Sequence, residues 1–205
     1  MSKKTCIFIA SVLLLSFIFT ACGNSNETPE QAVTNALNAV KNLDKDTAQK
    51  YFAYDELFIS DSADDELIDD EEDARLLLSK LDFKVLSSSK EGDTATVKTE
   101  ITNINMATVL SEYIQQLLVL AFSNTFAESD AKSEEEMEAQ AKQLFTDLLK
   151  SDDIDTKTST IDIKLSRHEN SWKIDGDDEF KDAVLGGLIN AAEELAAGFE
   201  SSDLP

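Results

Sequence analysis

From Thr156 to Asp175 the chain reads TKTSTIDIKLSRHENSWKID, and no other stretch limits the possible folds as tightly. Ile161, Ile163 and Leu165 alternate with Asp162, Lys164 and Ser166, the period of a strand with one buried face. His168-Glu169-Asn170-Ser171 interrupts the pattern, and Trp172 and Ile174 resume it. This predicts a hairpin, or two adjacent strands, with the only tryptophan of the chain on the inner face. A one-faced sheet needs a layer to cover it, so the helical stripes elsewhere in the chain become its expected cover.

A second pair of strands is expected upstream. Phe83 and Val85 alternate with Lys84. Lys90-Glu91-Gly92-Asp93 reads as a turn with Gly92 at positive φ. Ala95, Val97, Thr99 and Ile101 then alternate with Thr96, Lys98 and Glu100. The phase slips at Ile104 and Met106, which predicts a β-bulge or a strand end near Thr102 and Asn103.

The helices are legible from their caps and stripes. Thr28-Pro29-Glu30-Gln31 carries an N-cap, a proline at the first helical position and a capping-box glutamine. Val33, Ala36, Leu37, Val40 and Leu43 follow at helical spacing. Asp46 is expected to cap a second helix with Tyr51 and Phe52 on its inner side, and Glu72 to Leu81 is expected to be helical. Met106 to Phe126 reads as a long helix. Its apolar run from Ile114 to Phe122 is too short to span a bilayer, so a buried helix is expected. Ser133-x-x-Glu136 opens another helix, making 106–150 a helical hairpin inserted between strands. After the turn Gly176-Asp177-Asp178, Phe180 to Phe199 reads as one amphipathic helix. Gly186-Gly187 in its middle suggests close approach to a neighbouring helix, with a ligand opening as the other reading. The fold class is α+β: a curved antiparallel sheet packed against N-terminal helices, with an inserted helical hairpin and a C-terminal helix.

The first residues carry an address. Lys3 and Lys4 precede an apolar run from Cys6 to Phe19, then Phe19-Thr20-Ala21-Cys22-Gly23. This resembles a bacterial lipobox, in which cleavage before the cysteine is followed by diacylglycerol modification of its sulfur. Phe19 stands where leucine is usual. Residues 1–21 are therefore read as a lipoprotein signal peptide and 22–27 as a tether. Residues 28–199 are read as a single domain, and 200–205 as a frayed tail. Cys22 is the lipidation residue, and two acyl chains give the stable anchoring that one chain does not. Without Cys6 the mature chain has no second cysteine, hence no internal disulfide and no thiolate metal site.

Charge excludes several partners. Asp plus Glu number 41 against 18 Lys plus Arg, a formal charge of −23. No nucleic acid partner is expected, since phosphate contacts need clustered cations. Adhesion to anionic headgroups is disfavoured for the same reason. Asp55 to Asp73 is the most acidic run and reads as a solvated loop with Leu57, Phe58, Leu67 and Ile68 turning inward. As a cation site it departs from the EF-hand loop, with Ala63 misplaced after Asp61 and no glycine at the sixth position.

No catalytic, cofactor-binding or metal-binding residue is assigned. His168 is the only histidine and sits in an expected turn. One histidine without cysteines or patterned carboxylates does not make a zinc site. G-x-S-x-G and glycine-rich phosphate loops are absent.

Thr28-Pro29-Glu30-Gln31-Ala32-Val33, Leu81-Asp82-Phe83-Lys84-Val85-Leu86, Gly92-Asp93-Thr94-Ala95-Thr96-Val97 and Ser171-Trp172-Lys173-Ile174-Asp175 together carry a resemblance. With the lipobox in front, the chain resembles uncharacterised lipoproteins of Gram-positive bacteria with a nuclear transport factor 2-like, or cystatin-like, domain, over residues 28–176. The resemblance implies a cone: a curved antiparallel sheet wrapped around helices. It implies no site residues, and shared fold does not carry function.

The leading expectation is a membrane-anchored extracytoplasmic lipoprotein on the outer face of the cell membrane. It would be a non-enzymatic module binding an apolar ligand or an envelope protein in the sheet's concavity, with no cofactor. The competing readings are a cone-fold enzyme with a buried carboxylate as general base, and a purely structural envelope or stress lipoprotein. A carboxylate at an inward strand position would favour the enzyme. Ala95, Val97, Thr99, Ile101, Ile161, Ile163, Leu165 and Trp172 hold the inward phase, and Glu100, Asp162 and Asp175 the outward one.

Overall fold

The computed structural model describes residues 27–58, 71–126 and 132–200. Cys22, the signal peptide, most of the tether, residues 59–70 of the acidic run, the side chains of Phe199 and Glu200 and the tail 201–205 lie outside the described residues.

The alternating segments form one antiparallel sheet in the order β1-β2-β3-β4, made of β1 Asp82–Glu91, β2 Thr94–Ile104, β3 Thr156–His168 and β4 Ser171–Ile174. Val97 pairs directly with Ile163, and Ala95 with Leu165. The inward-phase residues are all buried, from Ala95, Val97, Thr99 and Ile101 to Ile161, Ile163, Leu165 and Trp172. The other face is polar. Lys98 meets Asp162 at 3.3 Å and the Thr102 and Thr158 hydroxyls meet at 2.8 Å. Such one-sided burial is what alternation encodes in an antiparallel sheet. Gly92 (φ 62°) turns the β1–β2 hairpin, and Glu169 and Asn170, both at positive φ, turn β3 into β4.

Helix α1 (Pro29–Lys41) lies on the inner face. Thr28 and Gln31 form the reciprocal capping box, and Val33, Ala36, Leu37 and Val40 are fully buried. It packs on β1, β2 and β4, while α6 (Asp178–Val184) packs on β2 and β3. Helix α2 (Lys45–Ala48) is capped by Asp44, whose carboxylate accepts from the Thr47 N–H at 3.1 Å. The expected cap, Asp46, sits inside the first turn. The loop after α2 covers the β4 edge, where the Ile174 N–H donates to the Tyr51 carbonyl at 2.8 Å. Helix α3 (Glu71–Leu77) precedes β1.

Helices α4 (Met106–Thr125) and α5 (Glu134–Leu149) form the insertion between β2 and β3. Ser133 and Glu136 make the expected capping box of α5. The C-terminal segment is not one helix. Leu185-Gly186-Gly187 breaks it into α6 and α7 (Leu188–Glu200), with φ of 67° and 86° at the two glycines. The close approach is to a strand end rather than to a helix: a Cβ on Gly186 would lie 1.8 Å from the Ile104 carbonyl oxygen.

Strand β2 ends at Ile104, close to the end expected near Thr102 and Asn103, but no bulge interrupts it there. Pairing of β2 with β3 is unbroken from Thr94 to Ile104, and the register shift falls in β1 between Val85 and Ser87. The apparent phase slip has another cause. Asn103 keeps the inward phase as a buried polar residue, its Nδ2 donating to the Val184 carbonyl at 2.8 Å. Ile104 is buried beneath the Gly186 turn.

Candidate functional site

The sheet's concavity, where a ligand site is expected, is filled. Val97, Ile101, Ile163 and Trp172 share one buried cluster with Val33, Leu37 and Val40 of α1 and with Phe180 and Val184 of α6. Glu100 is half-buried and Asp162 and Asp175 are exposed, none of them at an inward strand position.

A cleft of about 400 Å³ opens at one end of this concave face. Ser88, Lys90 and Arg167 come from the strands, and Glu27 to Glu30 from the start of α1. Lys90 and Arg167 pair with Ala95 and Trp172, so both continue the inner phase. They lie over the Trp172 ring, with Nζ 5.3 Å and the guanidinium carbon 5.7 Å from its centroid. Two cations therefore stand against two carboxylates. Glu30 accepts from the Ser88 hydroxyl, which chiefly holds its pKa below the usual carboxylate range. Glu27 accepts from Tyr51 at 2.8 Å and Asn35 at 2.7 Å through its carboxylate, and from the Trp172 indole at 3.0 Å through its carbonyl. Burial, then Glu27, pushes the Tyr51 phenol up to about 12. Trp172 is buried beneath this lining, and the cleft offers charge of both signs beside the apolar surface of Pro29 and the side-chain stems.

A smaller cleft, about 230 Å³, lies between Phe52, Glu56, Leu57, Ile174 and Lys181. The buried carboxylates are committed to structure: Asp182 accepts from the backbone and side chain of Asn190 at 3.0 and 2.6 Å, and Asp73 lies 3.9 Å from Lys142 of α5. His168 is exposed at the end of β3, 3.1 Å from the Ser166 hydroxyl. No group of three or more metal-ligating side chains occurs among the described residues.

The feature that the sequence reading misplaced is α4. Met106, Val109 and Leu110 are buried at its root, and Tyr113 meets Phe145 of α5 edge-on at 5.3 Å. Beyond them the outer face is bare: Leu118, Val119, Phe122 and Phe126 are 55, 67, 63 and 76% exposed. By length and composition α4 is apolar enough to cross a membrane, yet little of it is buried. The signal was present in the sequence. A run from Ile114 to Phe122 whose only polar residues are Gln115 and Gln116 needs neighbours on most sides, and α4 packs chiefly on α5 and α7.

Among known proteins, a family model for a domain of unknown function (DUF5105) matches residues 24–189. No curated protein matches the chain. A crystal structure of a candidate lipoprotein (ycdA) from Bacillus subtilis is similar at 15% identity and a TM-score of 0.41, over 83% of this chain. The chain spans 47% of that protein's length.

Proposed function

The chain belongs to the family of the domain of unknown function DUF5105, so its role has to be argued from its own residues, and we propose that it is a lipid-anchored, extracytoplasmic protein-contact module. In this reading Cys22 carries the lipid, residues 22–27 tether a single domain to the outer face of the cell membrane, and the outer face of α4 is the working surface. The observation that carries the reading is the exposure of Phe122 and Phe126, 63 and 76%, on a helix with one acidic and no basic residue. Contiguous exposed apolar surface of this kind marks sites of contact.

The leader motif supports the anchor, and the filled concavity supports contact through an outer surface rather than an enclosed ligand. Inward strand positions without a carboxylate support a role without catalysis. Helix α1 on the inner face of a curved sheet supports the nuclear transport factor 2-like reading.

Two experiments test this. Cys22→Ser should abolish incorporation of a labelled fatty acid and release the chain from the membrane fraction; retention of label would reject the anchor. A photoreactive residue replacing Val119 in the anchored chain should give a discrete crosslinked adduct, and one replacing Thr160 on the polar sheet face should not. No adduct at position 119 rejects α4 as the surface.

A further inference from the structure

We propose that the cleft between the start of α1 and the β1–β2 turn end of the sheet binds a small zwitterion, a molecule with a free ammonium and a free carboxylate and the size of an amino acid or dipeptide.

The lining brings opposite charges together and does not neutralise them. Lys90 and Arg167 come from β1 and β3 and lie over one indole ring, with Nζ 5.3 Å and the guanidinium carbon 5.7 Å from the Trp172 centroid. Glu27 and Glu30 come from the start of α1. Neutral donors hold these carboxylates in place. Glu27 Oε1 takes the Tyr51 hydroxyl at 2.8 Å and the Asn35 amide at 2.7 Å, and Glu30 takes the Ser88 hydroxyl. That hydroxyl is the chief cause of the lowered Glu30 pKa and keeps the group ionised. Lys41, Lys45, Lys98 and Lys164 each close on an aspartate. Among the described residues Lys90 forms no ion pair; it shares a cleft of about 400 Å³ with two carboxylates and closes on neither. Both bonds to Glu27 fall on one oxygen, and a carboxylate offers about four acceptor sites, so capacity for an ammonium remains.

Charge selects the class of ligand. A lone anion would approach a chain of formal charge −23 and then lie beside two carboxylates. A lone cation would lie beside Lys90 and Arg167. A zwitterion has no net charge, and each of its ends meets the opposite sign: carboxylate on Lys90 and Arg167, ammonium on Glu27 and Glu30. Pro29 and the Lys90 stem line the remainder and suit an aliphatic side chain. The volume lies toward the small end of ligand clefts, which fits a molecule of this size. The site does not depend on α4, which roots at the opposite end of the 11-residue β2, a span of about 35 Å.

The test uses the chain from residue 22 onward with Cys22→Ser; its buried cluster lies wholly between Ala32 and Ala191, so losing the anchor leaves the core intact. Trp172 is the only tryptophan and lies under both cations, so its fluorescence and its indole N–H resonance report occupancy. The probes are leucine, alanyl-leucine, and the N-acetyl and amide derivatives of each, titrated into the tens of millimolar at constant ionic strength. At least one free probe should give a saturable change, and blocking either of its ends should weaken binding about tenfold or more. Lys90→Gln, with unchanged circular dichroism, should shrink the penalty for blocking the carboxylate and leave that for blocking the ammonium. Glu30→Gln should do the converse. Lys98→Gln, on the polar face of the sheet, should change neither. No saturable change with either free probe in the parent chain overturns the site. An acetylated probe that binds as tightly as the free one overturns the zwitterion in favour of an anion. Penalties that both cleft substitutions leave unchanged overturn the roles given to Lys90 and Glu30.

Discussion

The indole Nε1 of Trp172 donates to the backbone carbonyl of Glu27 at 3.0 Å, joining β4 to the point where the N-terminal segment enters the fold 145 residues earlier. The ring itself is 1% exposed beneath Lys90 and Arg167. Trp172→Phe keeps an aromatic ring but removes the donor and part of the volume. It should cost about 1–3 kcal/mol in urea unfolding followed by circular dichroism. Amide exchange at Thr28 and Ala32, whose N–H groups bond the Gln31 side chain and the Thr28 carbonyl, should accelerate more than in the middle of α1, because the lost bond fixes the segment preceding the helix. Equal acceleration along the helix would mean that Trp172 acts only as filler.

Tyr51 sits on the same latch and titrates late. Burial is the larger cause and the Glu27 carboxylate the next, and together they raise the phenol to about 12. In a Tyr54→Phe, Tyr113→Phe background, phenolate absorbance should rise near that pH. Adding Glu27→Gln should lower the midpoint while leaving it above the ordinary tyrosine value, since burial persists. The folded pKa is raised, so this contribution to stability is complete below about 10 and fades as pH climbs through about 12. Tyr51→Phe should therefore flatten the loss of stability in that window. A midpoint at the ordinary value in the parent background would show that the ring is solvated.

Much of this arrangement was legible in the sequence because it was written in local rules. Alternation fixed the inner face around Val97 and Ile163, and cap chemistry fixed the starts of α1 and α5. What escaped depends on neighbours remote in the chain. A buried asparagine at 103 looks like a bulge until Val184 supplies its partner. Gly186-Gly187 looks like a tolerated flaw within a helix until the Ile104 carbonyl occupies the space of a side chain. The apolar run of α4 implies burial only if enough elements surround it, and periodicity carries no information on how many will. The polar cleft beside α1 was missed because its strand-borne lining, Ser88, Lys90 and Arg167, comes from separate strands and joins only through register.

The two glycines between α6 and α7 should respond unequally to substitution. Gly186 has φ 67°, and an added Cβ would strike the Ile104 carbonyl, while its own carbonyl accepts from the Met106 N–H at 3.1 Å. Backbone on backbone cannot yield without moving the root of α4, so Gly186→Ala should cost at least ~3 kcal/mol. Gly187 has φ 86°, but its Cβ would meet only the flexible end of Lys157. Gly187→Ala should cost about 1–2 kcal/mol, the ordinary strain of the left-handed region. Thermal unfolding of both variants checks the ranking, and similar losses would contradict the close approach at Ile104.

Asp182 caps a helix it does not belong to. Its carboxylate takes the Asn190 backbone N–H at 3.0 Å and the Asn190 amide at 2.6 Å, and its own carbonyl accepts from Gly187 at 2.7 Å. The side chain is buried, so water cannot readily replace it at the first turn of α7. Asp182→Ala should destabilise the chain by about 1.5–3 kcal/mol, the range for hydrogen bonds to a charged group. Asp182→Asn retains one acceptor for the backbone N–H and should lose less. Because α7 packs on α4, exchange protection should fall first at Ala191 and next at Val109 and Leu110, with the β2–β3 pairs unaffected. Uniform loss of protection across the sheet would show that α7 does not unfold separately from the core.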